Sequence, residues 1–219
     1  MVILLTFVLP GSCEDLSSAT NASWSQVGDV ITGADDYPQI GRAISLSDDG
    51  TRMAVGAPSS DSFQDTNYEA KGRVRVFELQ SGSWVQMGSD IIGEWSDRAG
   101  SSVALSGNGM RLAVGSPRHS PGGCNGWGCK YGAGRASVYK WNGGDWARVG
   151  EHLVGDRCES SECGGYSSDN LGLSVSLSYD GKYLAVGAYQ YVRVYEWKKC
   201  WWVRLDCSLR ERARVDQAR

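Results

Sequence analysis

Three copies of one pattern fill the chain, and each reads strand, Asp-Gly or Asn-Gly turn, strand, loop, strand, turn, strand. The first copy is GRAISLSDDGTRMAVGAP followed by GRVRVFELQSGSWVQMG; the second is GSSVALSGNGMRLAVGSP followed by GRASVYKWNGGDWARVG; the third is GLSVSLSYDGKYLAVGA followed by YVRVYEWKKCWWVRL. A period of about sixty residues fixes the architecture as stacked repeats before any single residue is considered. Gly is abundant (29), and nine Trp and ten Tyr stand beside three Phe, a mix that suits a β protein with many tight turns.

The first strand of each copy alternates large and small residues. Ile44 and Leu46 stand against Ala43, Ser45 and Ser47, Val103 and Leu105 against Ser102, Ala104 and Ser106, and Val175 and Leu177 against Ser174, Ser176 and Ser178. The second strand repeats this with Met53/Val55, Leu112/Val114 and Leu184/Val186. Period-two alternation is the strand signal. The links Asp49-Gly50, Asn108-Gly109 and Asp180-Gly181 suit a type I′ turn, which pairs Leu46 with Met53 and Ile44 with Val55, and likewise in the other copies. Large then meets large, a match that a one-residue slip destroys. The resulting sheet has one bulky face and one Ala/Ser/Gly face, and few residues on either are charged. Radially stacked blades cover both, the bulky face of one sheet on the small face of the next.

The second hairpin carries an aromatic before a Trp: Phe77 and Trp84, Tyr139 and Trp146, Tyr195 and Trp202. The Trp opens a W-x-[QR]-x-G strand at Trp24, Trp84 and Trp146. Recurrence at one position assigns these rings to blade packing rather than to a ligand ladder. The expected fold is all-β: three four-stranded antiparallel propeller-type units plus a leading strand at Trp24, forming a partial or open propeller. The units fall at about 41–88, 100–150 and 172–206 within a repeat region of 14–206, and residues 207–219 read as an irregular basic tail. Closed propellers use roughly four to eight blades, so three leave two open edges, and three outcomes stay open: the chain belongs to a longer protein, completes itself by self-association through those edges, or remains an open arc.

Residues 1–13 are apolar to Leu9 and then turn small, as in a signal peptide without its positive n-region, and are too short to span a bilayer. Asn21-Ala22-Ser23 is a glycosylation sequon. Six of the seven cysteines fall in close pairs, Cys124/Cys129, Cys158/Cys163 and Cys200/Cys207. In a secreted chain such pairs read as disulfides; a four-thiolate zinc site from the first two pairs is the weaker rival. These features place the chain outside the cell or at its surface. The formal net charge of −3 gives no strong pull toward nucleic acid.

The residues that open and close the units carry a resemblance. Ile40-Gly41, Ala99-Gly100 and Leu171-Gly172 open them, and Gly56-Ala57-Pro58 and Gly115-Ser116-Pro117 close the second strands. The pattern resembles the FG-GAP repeat of the integrin α-subunit propeller over about residues 24–206. It departs in lacking the aromatic of FG, and the third unit has Gly187-Ala188-Tyr189 with no Pro. Family members can carry a calcium loop between the first two strands; here that link is too short to supply the oxygen ligands calcium takes, so no metal or cofactor is expected. WD repeats are the second choice, without their Trp-Asp signature.

Strand alternation puts the tight turns at one rim and the long connections at the other. Long loops on a rigid scaffold are where recognition sits. The segment RHSPGGCNGWGCKYGAG offers Arg118, His119, Trp127, Lys130 and Tyr131 as ligand-binding candidates. Asp36, Asp97 and Asp169 recur before the unit-opening Gly, which points to turn capping. No nucleophile elbow, zinc-protease, phosphate-loop or paired-carboxylate motif is visible, so no catalytic residue is assigned. The expected function is therefore a non-enzymatic interaction module binding an extracellular protein or glycan. The alternatives are a polysaccharide-acting propeller enzyme and a fragment without a role of its own.

Overall fold

The computed structural model describes residues 23–33, 39–60, 70–120, 132–155 and 169–198. Among these the only regular secondary structure is the β-strand, and every strand ladder is antiparallel. Blade 1 holds β1 (Ala43–Leu46), β2 (Arg52–Ala57), β3 (Arg73–Gln80), β4 (Ser83–Gln86) and β5 (Ile91–Ile92). Blade 2 holds β6 (Ser102–Leu105), β7 (Arg111–Ser116), β8 (Arg135–Trp141), β9 (Trp146–Arg148) and β10 (Leu153–Val154). Blade 3 holds β11 (Ser174–Leu177), β12 (Tyr183–Gly187) and β13 (Val192–Glu196). In blades 1 and 2 the outer strand is split: β4 and β5 both pair with β3, and β9 and β10 both pair with β8. Each of these blades is thus four strands wide, with an interruption in its outer strand. The fourth strand expected at Trp202 lies outside the described residues.

The inner hairpins have the register that the sequence predicts. Leu46 pairs with Met53, Leu105 with Leu112 and Leu177 with Leu184. The turn type differs from expectation. A type I′ turn needs positive φ at both central residues, whereas here only Gly50, Gly109 and Gly181 have it. The Ser47 carbonyl accepts the Gly50 N–H at 2.9 Å, placing Gly at the fourth position, as type I turns favour. The acidic or amide side chain explains the choice. Asp49 Oδ1 accepts the Ser47 hydroxyl, the Thr51 N–H and the Thr51 hydroxyl at 2.6–2.9 Å. Asn108 and Asp180 repeat this cap from their own turns. The type I′ turn occurs instead in the outer hairpin of blade 1, where Ser81 and Gly82 have φ of 50° and 85°.

The faces stack as the large/small alternation implies. Ala54, Val74 and Val76 of blade 1 pack on Val103, Leu105, Leu112 and Val114 of blade 2. Ala104, Ala113 and Ala136 of blade 2 pack on Val175, Leu177, Leu184 and Val186 of blade 3. The closeness of this stacking explains the glycine in AVG. A Cβ at Gly56 would sit 2.1 Å from the Gly100 carbonyl oxygen, and one at Gly115 would sit 2.2 Å from that of Gly172.

The leading segment differs from the predicted strand. Residues 23–33 form no ladder, and Trp24 is fully exposed; among the described residues no strand lies beside it to pair. Among the described residues it is tied to blade 1 by the hydrogen bond from Trp84 Nε1 to the Val27 carbonyl at 3.0 Å. Trp146 Nε1 makes the same bond to Met87, the corresponding residue of blade 1, at 3.0 Å. The segment therefore occupies the place of a preceding blade's outer strand.

Candidate functional site

The long-loop rim between blades 1 and 2 gathers buried charge where the rest of that interface is apolar. It begins with the alternation of β8. Leu112 pairs with Tyr139, Val114 with Ser137 and Ser116 with Arg135. Arg135, Ser137 and Tyr139 therefore share the β8 face turned toward blade 1, opposite to Ala136 and Val138, which turn toward blade 3. Going up this face, the residues change from aromatic to charged as the rim is reached.

At the top, Asp97 is fully buried in the link that joins blade 1 to blade 2. Its Oδ2 lies 2.5 Å from Arg135 Nη2 and accepts the Glu94 N–H at 2.8 Å. Its Oδ1 lies 2.8 Å from His119 Nδ1. Arg135 also holds Glu94 Oε1 at 2.6 Å. A carboxylate so placed is an acceptor only, so His119 Nδ1 carries the proton and donates it, leaving the Nε2 lone pair as the ring's acceptor. The His119 backbone is pinned as well: its N–H reaches the Ser116 carbonyl, and its carbonyl accepts the Gly134 N–H. Asp97 thus orients the imidazole, and Arg135 compensates the buried carboxylate.

Below lies a second polar chain. His152, in the gap between β9 and β10, places Nδ1 2.6 Å from Ser137 Oγ, and its Nε2 meets the Arg148 guanidinium. Burial first, then the charges of Arg135 and Arg148, hold the His152 pKa down at about 4. The ring is therefore neutral at pH 7. A guanidinium only donates, so Nε2 accepts from Arg148 and Nδ1–H donates to Ser137. On the same face, burial pushes the Tyr139 phenol up, with the charges of Arg135 and Arg148 opposing. A histidine that donates to a serine cannot take that serine's proton, so Ser137 and His152 are not a nucleophile–base pair.

Beside the buried charges the rim carries an aromatic platform. Trp95 is 55% exposed, adjacent to the largely exposed Glu94, and Lys71 Nζ lies 5.3 Å from the centre of its ring. The buried Asp97–His119 pair and the exposed Trp95 with Lys71 beside it are thus joined through the link that carries Glu94, Trp95 and Asp97 and through Arg135, which holds both Glu94 and Asp97.

Of the residues singled out from sequence, His119 and Arg118 are placed here. The Arg118 N–H donates to the Asp97 carbonyl at 3.3 Å. Trp127, Lys130, Tyr131, Asn21, Asp36 and the cysteines Cys124, Cys129, Cys158, Cys163, Cys200 and Cys207 lie outside the described residues. Asp97 does cap a turn, as its recurrence implies, through the Glu94 N–H. Sequence reasoning missed that it also orients His119. It missed Glu94, Trp95 and Arg135 because none recurs in all three units. Among the described residues no group of three His, Cys, Asp or Glu side chains converges as a metal site, and no helix is long and apolar enough to cross a membrane.

No protein-family model and no curated protein matches the chain. Solved structures do. One is the periplasmic gluconolactonase of Pseudomonas aeruginosa, with 17% identity, a TM-score of 0.47, and coverage of 76% of this chain and 41% of that one. Another is a candidate 6-phosphogluconolactonase from Bacteroides uniformis, with 15% identity, a TM-score of 0.42, and coverage of 75% and 40%. The chain spans about two fifths of the length of either. These neighbours correct three expectations. They are not FG-GAP or integrin proteins, and both bear the names of enzymes rather than of interaction modules. The FG-GAP assignment rested on short Gly-containing signatures, and close blade packing alone demands those glycines, as at Gly56 and Gly115. The readings as a non-enzyme and as a protein- or glycan-binding module fall with that assignment.

Proposed function

We propose that the chain is part of a propeller-type hydrolase acting on a carbohydrate-derived ester or lactone, with His119 as the general base. The observation that carries this reading is the Asp97–His119 pair, in which a buried, arginine-compensated carboxylate fixes the imidazole with Nε2 as its acceptor. In the reaction, Nε2 takes a proton from water as its oxygen attacks the carbonyl carbon. The acyl C–O bond then breaks, and the imidazolium returns the proton to the leaving alkoxide. Glycosidic cleavage is the less favoured chemistry, because it needs two available carboxyl groups, and Asp97 and Glu94 are both held by Arg135. The exposed Trp95 face suits the C–H face of a sugar ring, and Lys71 beside it suits a substrate rich in oxygen. The location, extracellular or at the cell surface, is supported by the apolar run at residues 1–9 and by the Asn21 sequon.

The test is acid release from gluconolactone and from acylated sugars, followed by titration at constant pH. His119→Gln is expected to lower kcat by roughly 10²–10⁴-fold, and Trp95→Ala to raise KM with a smaller change in kcat. Turnover that survives His119→Gln unchanged, or a wild-type chain inert across the panel, overturns the reading.

A further inference from the structure

The two ends of the blade stack are the two halves of an interface that the chain already contains twice. On the outer face of blade 1, Ile44 and Leu46 are 59% and 54% exposed, whereas their counterparts Val103 and Leu105 are buried against blade 1. On the outer face of blade 3, Val192 and Val194 are 68% and 56% exposed. Their counterparts Val74 and Val76 are buried against blade 2. One end offers the bulky face and the other the face that receives it.

The polar and close-packed contacts agree with this. At the tight-turn rim the Asp48 N–H donates to the Gly107 carbonyl, and the Gly107 N–H to that of Tyr179, each at 2.9 Å. The series leaves the Tyr179 N–H and the Asp48 carbonyl as its unmatched donor and acceptor among the described residues. Arg52 reaches the Asn108 carbonyl and lies against Gly109, and Arg111 reaches Gly181 in the same way. The corresponding Gly50 has nothing within 4 Å of its Cβ position, and Tyr183, which stands where Arg52 and Arg111 do, is exposed. Gly100 and Gly172 are pressed on the preceding blade, while Gly41 again has nothing within 4 Å. The turn N–H series and the close-packed glycine contact are thus each left with one half on blade 3 and the other on blade 1, whereas the arginine contact is not continued, because blade 3 has Tyr183 in the arginine's place.

We propose that a second copy of this chain docks head to tail, the outer face of blade 3 on the outer face of blade 1, reproducing the internal blade–blade interface. Such a contact is heterologous: each copy uses two different patches. An unrelated protein would have to match the Val, Gly, turn-carbonyl and turn N–H positions together, whereas a second copy presents all of them in register by construction.

The experiment is complementation between face variants of the whole chain. Variant one carries Ile44→Asp and Leu46→Asp, and variant two carries Val192→Asp and Val194→Asp. All four side chains are more than half exposed, and circular dichroism checks that the fold is kept. The wild type is expected to associate with rising concentration in analytical ultracentrifugation. Each variant alone is expected to sediment as a monomer of 23.7 kDa. An equimolar mixture is expected to form a dimer of one copy of each, and nothing larger, because only one competent pair of faces remains. Native mass spectrometry with one variant isotopically labelled reads the composition. A wild type that stays monomeric, a variant that still self-associates, or a mixture without the mixed dimer overturns the proposal.

Discussion

The two internal interfaces begin from the same residue and end in different chemistry. Asp97 precedes blade 2 and Asp169 precedes blade 3, each just before the unit-opening Gly. Asp97 meets a guanidinium, an imidazole and a backbone N–H. Asp169 meets the phenol of Tyr191, whose hydroxyl donates to it at 2.8 Å. Tyr191 occupies the position of Arg135, immediately before β13. In blade 3 the connection between the middle strands has contracted to Ala188–Tyr191, so it carries no counterpart of His119. The repeat supplies a carboxylate at a fixed place. The residue at the Arg135/Tyr191 position and the length of one loop decide whether that carboxylate only closes a turn or also orients a base.

Breaking the charge pair should separate the two interfaces most. Arg135→Leu leaves Asp97 buried without its cation, at a cost of roughly 3–5 kcal/mol. Tyr191→Phe removes one hydrogen bond from a partly exposed carboxylate and should cost about 1 kcal/mol. Urea unfolding of the two variants checks the gap; equal losses would mean that Asp97 and Asp169 do the same work.

A smaller effect separates the packed interfaces from the open end. Gly56→Ala drives a methyl into the Gly100 backbone, and overpacking of this kind costs roughly 1–3 kcal/mol. In Gly187→Ala the new methyl meets the Ser174 hydroxyl at 2.2 Å. A change of serine rotamer relieves that contact for under about 1 kcal/mol. Thermal unfolding of both variants at low protein concentration, where copies are apart, reads the difference.

The smallest effect is a pH dependence confined to blade 2. The corresponding residue of blade 1 is Asp90, which pairs with Arg75 at 3.0 Å, while blade 2 has His152 beside Ser137. The His152 pKa falls from 6.5 to about 4 on folding. Between those values the unfolded chain binds a proton that the folded chain does not, so stability drops as pH falls through this window. His152→Gln should flatten that part of the curve, so its Tm relative to wild type should rise between pH 7 and pH 4.5. A constant offset would show that His152 is not held neutral by the fold.

The strands were legible because two independent signals coincide in them. Alternation at Ile44, Leu46, Met53 and Val55 and the spacing across Asp49-Gly50 admit one register. The turn type was not legible from the dipeptide: Asp-Gly serves both a type I′ turn and an Asp-capped type I turn, and the neighbouring Ser47 and Thr51, which tip the choice, act through side-chain hydrogen bonds. His119 was visible as a polar residue on a long loop, but its partner Asp97 had been absorbed by its recurrence into scaffold work. Arg135 sits in a strand where alternation alone reads as packing. A site made from one repeated and several unrepeated residues is hidden from any reading that treats repetition as structure and the remainder as function.

The indole pegs described above, Trp84 to Val27 and Trp146 to Met87, bear on how the molecule comes apart. Each ties the outer edge of a blade to the segment before it, while the turn carbonyls tie the inner edge to the blade after it. Blade 2 is fastened on both sides at the inner radius and to blade 1 at the outer one, whereas residues 23–33 are tied, among the described residues, by the one Trp84–Val27 hydrogen bond. Local opening therefore has a direction: fraying starts at the ends of the stack and reaches blade 2 last. The proposed base sits on the blade that is last to loosen.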